Sequence, residues 1–271
     1  MIASPVLKAD APVFNRVPAV TPDFWIIKLL AVTVGETAAD YMNLNLRLGL
    51  PNTSYILSVA LAAALGLQFA QKKYVPWAYW LAVVLVSVVG TLLTDNLVDN
   101  FHVSLQAATL GFTLALALTF AIWFGIEGTL SIHTIFTTRR EIFYWLAILF
   151  TFALGTAAGD LIAEQFHLGY LATGLLFAGV IAVIAFAYFV LHVDPILSFW
   201  LAYIFTRPLG ASFGDLLAQP REYGGLGFGT TITSLFFLAG ILVVVSYMTV
   251  SHEGLERLTA ARPTAARKAA K

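Results

Sequence analysis

The chain has 271 residues, of which 59% are hydrophobic and only 11% are charged, and its formal net charge is zero. Water-soluble domains are usually about 45–50% apolar and about 25% charged, so lipid must be the solvent for the excess. Any functional charge must be local, and no nucleic-acid partner is expected. Cysteine is absent, which removes disulfides, thiolate metal sites and thiol nucleophiles.

Residues 1–23 are polar and interrupted by proline, with Asp10 and Asp23 among them. They lack the basic-then-apolar order of a signal peptide, so the chain is expected to be used whole. Apolar runs long enough to cross the hydrocarbon follow at 24–46, 53–71, 76–98, 104–126, 142–163, 169–191, 197–218 and 229–250. They are continuous rather than alternating, which speaks against strands. The expected fold is an all-α integral membrane domain over 24–250 with eight transmembrane helices. The tail 251–271, rich in Ala, Arg and Lys, reads as a solvated, poorly ordered end.

Eight spans put both termini on one side of the bilayer. Lys8, Arg16, Lys28, Lys72, Lys73, Arg139, Arg140, Arg257, Arg262, Arg267, Lys268 and Lys271 fall in or near the termini and the even-to-odd loops, against Arg47 and Arg221 near the opposite loops. Basic residues favour the cytoplasmic side, so both termini are expected in the cytoplasm of a bacterial inner membrane.

The sequence repeats internally. Trp25, Trp80, Trp145 and Trp200 are each followed ten residues later by Gly35, Gly90, Gly155 and Gly210. Five residues further on come Asp40, Asp95, Asp160 and Asp215. The steps between copies are 55, 65 and 55 residues, the longer one reflecting an insertion around Ser131–Arg140. The units are 24–71, 76–126, 142–191 and 197–250, each a motif helix followed by a return helix. All four share one orientation. Their Trp are expected to anchor at the cytoplasmic interface, with the Asp about 22 Å deeper at 1.5 Å per residue. Ala39, Thr94, Gly159 and Gly214 precede the Asp and complete small-xxx-small pairs with the motif Gly, which let helices approach closely. A pseudo-symmetric bundle follows, with motif helices inside and return helices outside.

The four Trp-Gly-Asp frames, with the stretches Glu127–Trp145 and Thr206–Asp215, resemble the bacterial uncharacterised membrane-anchored proteins built from four tandem repeats of unknown function, each with two membrane helices and a characteristic Trp. The resemblance covers about residues 24–250. It implies architecture and carries no established activity.

Acidic residues inside a membrane are by default functional. Thr91, Asp95, Asp99 and His102 form one stripe, and Thr156, Asp160, Glu164 and His167 repeat it at the same offsets. The first unit offers Glu36 and Asp40, with Arg47 in place of the His, and the last offers Asp215, with Gln219 after it. The central two units look richest in ligands and the outer two look degenerate. Asp95 and Asp160 are therefore expected to be the most essential carboxylates. Thr91, Thr156, Asp99 and Glu164 would complete a shell, and His102 and His167 would sit at an outer mouth. Arg207, inside the seventh run, is expected to pair with Glu36 or Asp40. Glu127, His133, His192 and Asp194 read either as an inner vestibule or as solvated loop groups.

Carboxylates and hydroxyls suit a hard divalent cation, Mn²⁺ or Mg²⁺ first, while three Met and no Cys disfavour soft metals. The leading expectation is a transporter, a proton-coupled exporter of a divalent cation that is substrate and not resident cofactor. No phosphate-binding loop points to ATP. An integral-membrane metalloenzyme is disfavoured, since the sequence has no His-Glu-x-x-His and no two Glu-x-x-His motifs of the di-iron kind; a non-transporting sensor or assembly protein is the other alternative. Homo-oligomerisation is left open.

Overall fold

The structure, a computed structural model, describes residues 14–269, with side chains as far as Ser251. Among the described residues there are eight α-helices and no strand: α1 (Pro22–Asp40), α2 (Leu50–Phe69), α3 (Pro76–Asp95), α4 (Leu105–Glu127), α5 (Thr138–Asp160), α6 (Tyr170–Phe189), α7 (Pro195–Ala218) and α8 (Gly229–Ala269). The helix starts carry the expected signals. Thr21, Ser104, Thr137 and Asp194 cap α1, α4, α5 and α7, and proline opens α1, α2, α3 and α7. The tail read as a poorly ordered end instead continues α8 to Ala269.

Among the described residues, six segments are long and apolar enough to cross a membrane: Leu50–Phe69, Pro76–Asn100, Leu105–Glu127, Thr138–Gln165, Tyr170–Phe189 and Gly229–Ser251. The two helices outside this set, α1 and α7, hold Lys28, Glu36, Arg207 and Asp215 in their buried faces. Leu110, Leu114 and Leu118 line one outward stripe of α4, and Val183, Phe186, Phe236 and Val243 do the same on α6 and α8. Continuous apolar outer faces of this kind suit lipid and not water.

The motif helices form a closed ring, α1 to α3 to α5 to α7 and back to α1. Each return helix packs mainly on the motif helix of the following unit: α2 on α3, α4 on α5, α6 on α7, and α8 on α1. Return helices are therefore outside, as the small-residue pattern anticipates.

The motif glycines explain how the ring closes. A Cβ at Gly90 would fall 2.6 Å from Phe152 Cβ. Likewise Gly35 packs on Ser87, Gly155 on Arg207, and Gly210 on Val32, each too close for a Cβ. Ser87, Phe152, Arg207 and Val32 all stand three residues before the motif Gly of their own unit. The same contact is thus made four times around a pseudo-fourfold axis. The second small residue supports it: Thr94 donates to Ala153 O (3.0 Å), while Gly159 lies against Pro208 and Gly214 against Glu36 and Thr33.

Three of the four Trp are packed inside the bundle and not set out as interface anchors. Trp80, Trp145 and Trp200 are buried and Trp25 is half-buried. The reason lies one residue earlier, where every unit has a second aromatic: Phe24, Tyr79, Tyr144 and Phe199. Each of these meets the Trp of the next unit, with ring centroids 5.6 Å apart for Phe24–Trp80, 5.5 Å for Tyr79–Trp145, 6.2 Å for Tyr144–Trp200 and 5.8 Å for Phe199–Trp25. Eight rings thereby close a collar across one end of the axis. The Tyr79 and Tyr144 hydroxyls bond to each other at 2.5 Å.

Candidate functional site: a charged column on the pseudo-fourfold axis

Layers of equivalent residues stack along the axis below the collar. Seven residues before the motif Gly stand Lys28, Val83, Ile148 and Tyr203. Three before it are Val32, Ser87, Phe152 and Arg207, and one after it are Glu36, Thr91, Thr156 and Ala211. The four Asp follow at plus five, about 6 Å further along at 1.5 Å per residue.

Arg207 occupies the centre. Its side chain is fully buried, and its Nη2 lies 3.0 Å from Glu36 Oε2. The same nitrogen donates to Thr156 Oγ1 (2.8 Å) and to Thr91 Oγ1. Nη1 donates to Val32 O at 3.0 Å and Nε to Phe152 O at 3.3 Å. One guanidinium is thereby held by the other three motif helices. The small faces of the motif glycines admit it, since Gly155 lies directly against its stem. Pairing with Glu36 agrees with the sequence expectation. A buried charge without such partners would be untenable in this setting.

The carboxylates of Asp40, Asp95, Asp160 and Asp215 surround the next layer. Asp215 is buried and the other three are half-buried, so this end of the column is accessible where the collar end is closed. They act on one another electrostatically: Asp95 with Glu36, Asp40 and Asp99, Asp160 with Glu36, Glu164 and Asp95, and Asp215 with Glu36, Asp160 and Asp40. Gln219 Nε2 donates to Asp40 Oδ2 at 3.4 Å, tying the last unit to the first. Asp99 and Glu164 are exposed beyond the ring, and Glu164 accepts from the Tyr170 hydroxyl at 3.3 Å.

Asp40, Asp95 and Asp160 share a backbone setting. Each is the last α-helical residue before a π-helical turn: Tyr41–Asn45, Asn96–Asn100 and Leu161–Gln165. Such turns recur at functional sites. The fourth unit departs from the pattern, since α7 ends at Ala218 and a 3₁₀ turn, Arg221–Tyr223, follows.

Several expectations need revision. Thr91 and Thr156 do not face a cation shell, because their hydroxyls serve Arg207. Among the described residues no three His, Asp or Glu side chains converge closely enough to hold a metal ion, so the expected shell is not assembled here. His102 and His167 are exposed, and their matched positions have a backbone cause. With Arg47 they carry φ values of 55°, 56° and 54°, the left-handed residue that ends each π-turn. Glu127 forms no vestibule: its carboxylate clamps Arg139 (2.5 Å) and Arg140 (2.6 Å) across the inserted loop.

The buried charges of the column, Lys28, Glu36, Arg207 and Asp215, come from the first and fourth units, the pair read as degenerate. Ring closure makes α1 and α7 neighbours, which linear order conceals. Lys28, counted above among the cytoplasmic basic residues, is fully buried on the axis. Its Nζ donates to Tyr203 O at 2.6 Å and to Thr206 Oγ1, and it stands 3.9 Å from the centre of the Tyr203 ring. Its place seven residues, two helical turns, before the motif Gly was the available signal. Glu141 was also missed. It is fully buried, pairs with Arg16 at 2.7 Å and accepts from Gln68 at 2.9 Å, fastening the N-terminal segment to α2 and α5.

These features define an all-helical protein of membrane type, with four equivalent helix pairs around a charged axis. Residues 24–74, 78–129, 143–193 and 198–253 each match the family model described as Repeat of Unknown Function (DUF347), and the chain belongs to that family. No curated protein and no solved structure matches it.

Proposed function

We propose that all eight helices span a bacterial inner membrane with both termini in the cytoplasm, and that the protein is a secondary transporter exporting a divalent cation, Mn²⁺ favoured, in exchange for protons. The observation that carries this reading is the ring of Asp40, Asp95, Asp160 and Asp215 at the accessible end of an axis whose other end is shut by aromatic rings. Four carboxylates in one layer draw a cation, and they exchange it readily for protons. Repeats with a site at their shared interface are common in secondary transporters.

The carboxylates stand apart, so the cation keeps part of its water shell, as Mn²⁺ and Mg²⁺ readily do. Arg207 lies one layer inward and supplies a fixed positive charge that turns the cation back until the helices rearrange. For an exporter, the acidic end is where the cation leaves and protons enter. Isothermal titration of the purified protein with Mn²⁺, Zn²⁺ and Mg²⁺ tests the site. Mn²⁺ binding that is lost in Asp95→Asn and Asp160→Asn supports the reading, and binding that survives in both removes it.

A further inference from the structure

We infer that Lys28 is a proton-binding site on the axis, and that its protonation sets the state of the Arg207–Glu36 pair; the second clause rests on the transport reading above. The column contains two buried basic groups, Lys28 and Arg207, against one buried carboxylate in their layers, Glu36. These two cations differ in chemistry. A guanidinium keeps its charge in proteins, whereas an amine can release a proton. Lys28 is therefore the buried cation whose charge can change while the fold stays as it is.

The surroundings of Lys28 accommodate both forms. No carboxylate pairs with it among the described residues. Its two acceptors, Tyr203 O and Thr206 Oγ1, match the two N–H groups of a neutral amine. The third N–H of the charged form is met by the face of Tyr203 at 3.9 Å, with the Phe152 ring at 5.7 Å. The groups around it are few. From α7 come Tyr203 and Arg207, and from α5 the Phe152 ring and, in the collar, Tyr144; Asp215, Asp160 and Asp40 stand in the far layer. On α1 itself Glu36 lies two turns along and Asp23 is exposed at the helix start. The ionisable groups of α3 are Tyr79 in the collar and Asp95 at the far end, and the apolar part of α8 from 229 to 246 carries none. Protonation of Lys28 thus adds a positive charge whose principal neighbour is Arg207.

A second observation marks unused polar capacity beside it. The Tyr203 hydroxyl is buried with no hydrogen-bond partner. Its ring packs against Phe24, Phe199 and Trp200 of the collar. A buried hydroxyl without a partner calls for explanation, and this one belongs to the ring over whose face Lys28 lies.

The test uses the full-length protein in detergent, labelled with ¹³C at lysine Cε, with the Lys28 resonance identified by its loss in Lys28→Arg. The expected result is a Lys28 titration step within the pH range in which the protein stays folded. Mn²⁺ is then expected to move that step. A Lys28 resonance unchanged across the range overturns the proton site, whatever Mn²⁺ does. A step that Mn²⁺ leaves in place keeps the proton site and overturns its coupling to a cation.

Discussion

Arg207 Nη2 stands 3.0 Å from Glu36 Oε2, on helices whose pairing joins the last repeat to the first. Both groups are buried, and Thr91 shares the arrangement by donating to the same Glu36 oxygen at 3.2 Å. Removing one partner of a buried pair strands the other charge, which costs about 3–5 kcal/mol. Glu36→Gln and Arg207→Met should each lower thermal stability in detergent by about that amount. The double variant should recover most of the loss, because no charge is then left alone. Additive losses in the double-mutant cycle would show that the two residues act separately.

The ring-closing glycines make a contrasting prediction. Gly35→Ala, Gly90→Ala, Gly155→Ala and Gly210→Ala each force a methyl into a neighbouring motif helix and should cost about 1–3 kcal/mol or more. Gly66, Gly111 and Gly179 lie on return helices with open space around them. Alanine there should be neutral or stabilise by up to about 1 kcal/mol, from helix propensity alone. Unfolding midpoints of the seven variants check this. Equal effects in both groups would contradict the ring.

The collar is tested through its hydroxyl pair. Tyr79→Phe and Tyr144→Phe should each destabilise by roughly 1 kcal/mol, the net worth of a typical hydrogen bond. The double variant should lose little more than either single one. Replacing Trp80 by Ala should cost about 3–5 kcal/mol, as for a fully buried aromatic, whereas an interfacial anchor would lose much less.

Much of this was legible in the sequence. The Trp-Gly-Asp frame located every unit, and the isolated charge of Arg207 announced its need for a carboxylate, Glu36 or Asp40, of which the structure supplies Glu36. What escaped reading depended on closure of the ring. Linear order sets Lys28 and Arg207 far apart, but the pseudo-fourfold circuit makes α1 and α7 adjacent. The Trp were misplaced because an amphipathic ring suits an interface as well as a core, and only the aromatic one residue earlier favours the core. The matched His102 and His167 looked like ligands because a left-handed turn and a metal site can both select the same residue at the same offset.

Topology has a direct check, because the chain contains no native cysteine. Lys72→Cys and His133→Cys should be shielded from a membrane-impermeant maleimide in intact cells. His102→Cys and Glu222→Cys should react. The opposite pattern would invert the orientation, and mixed labelling within either pair would contradict eight spans.

The central claim is that the four-Asp ring carries a cation across the membrane. Mn²⁺ flux into proteoliposomes under an imposed pH gradient, with internal pH followed at the same time, measures it most directly. Wild-type protein should move Mn²⁺ with protons in the opposite direction. Asp95→Asn and Asp160→Asn should each reduce the rate roughly tenfold or more, since contacts to a charged group are worth about 1.5–3 kcal/mol. Wild-type liposomes that move no more Mn²⁺ than empty ones, or Asn variants that transport like wild type, would contradict the account.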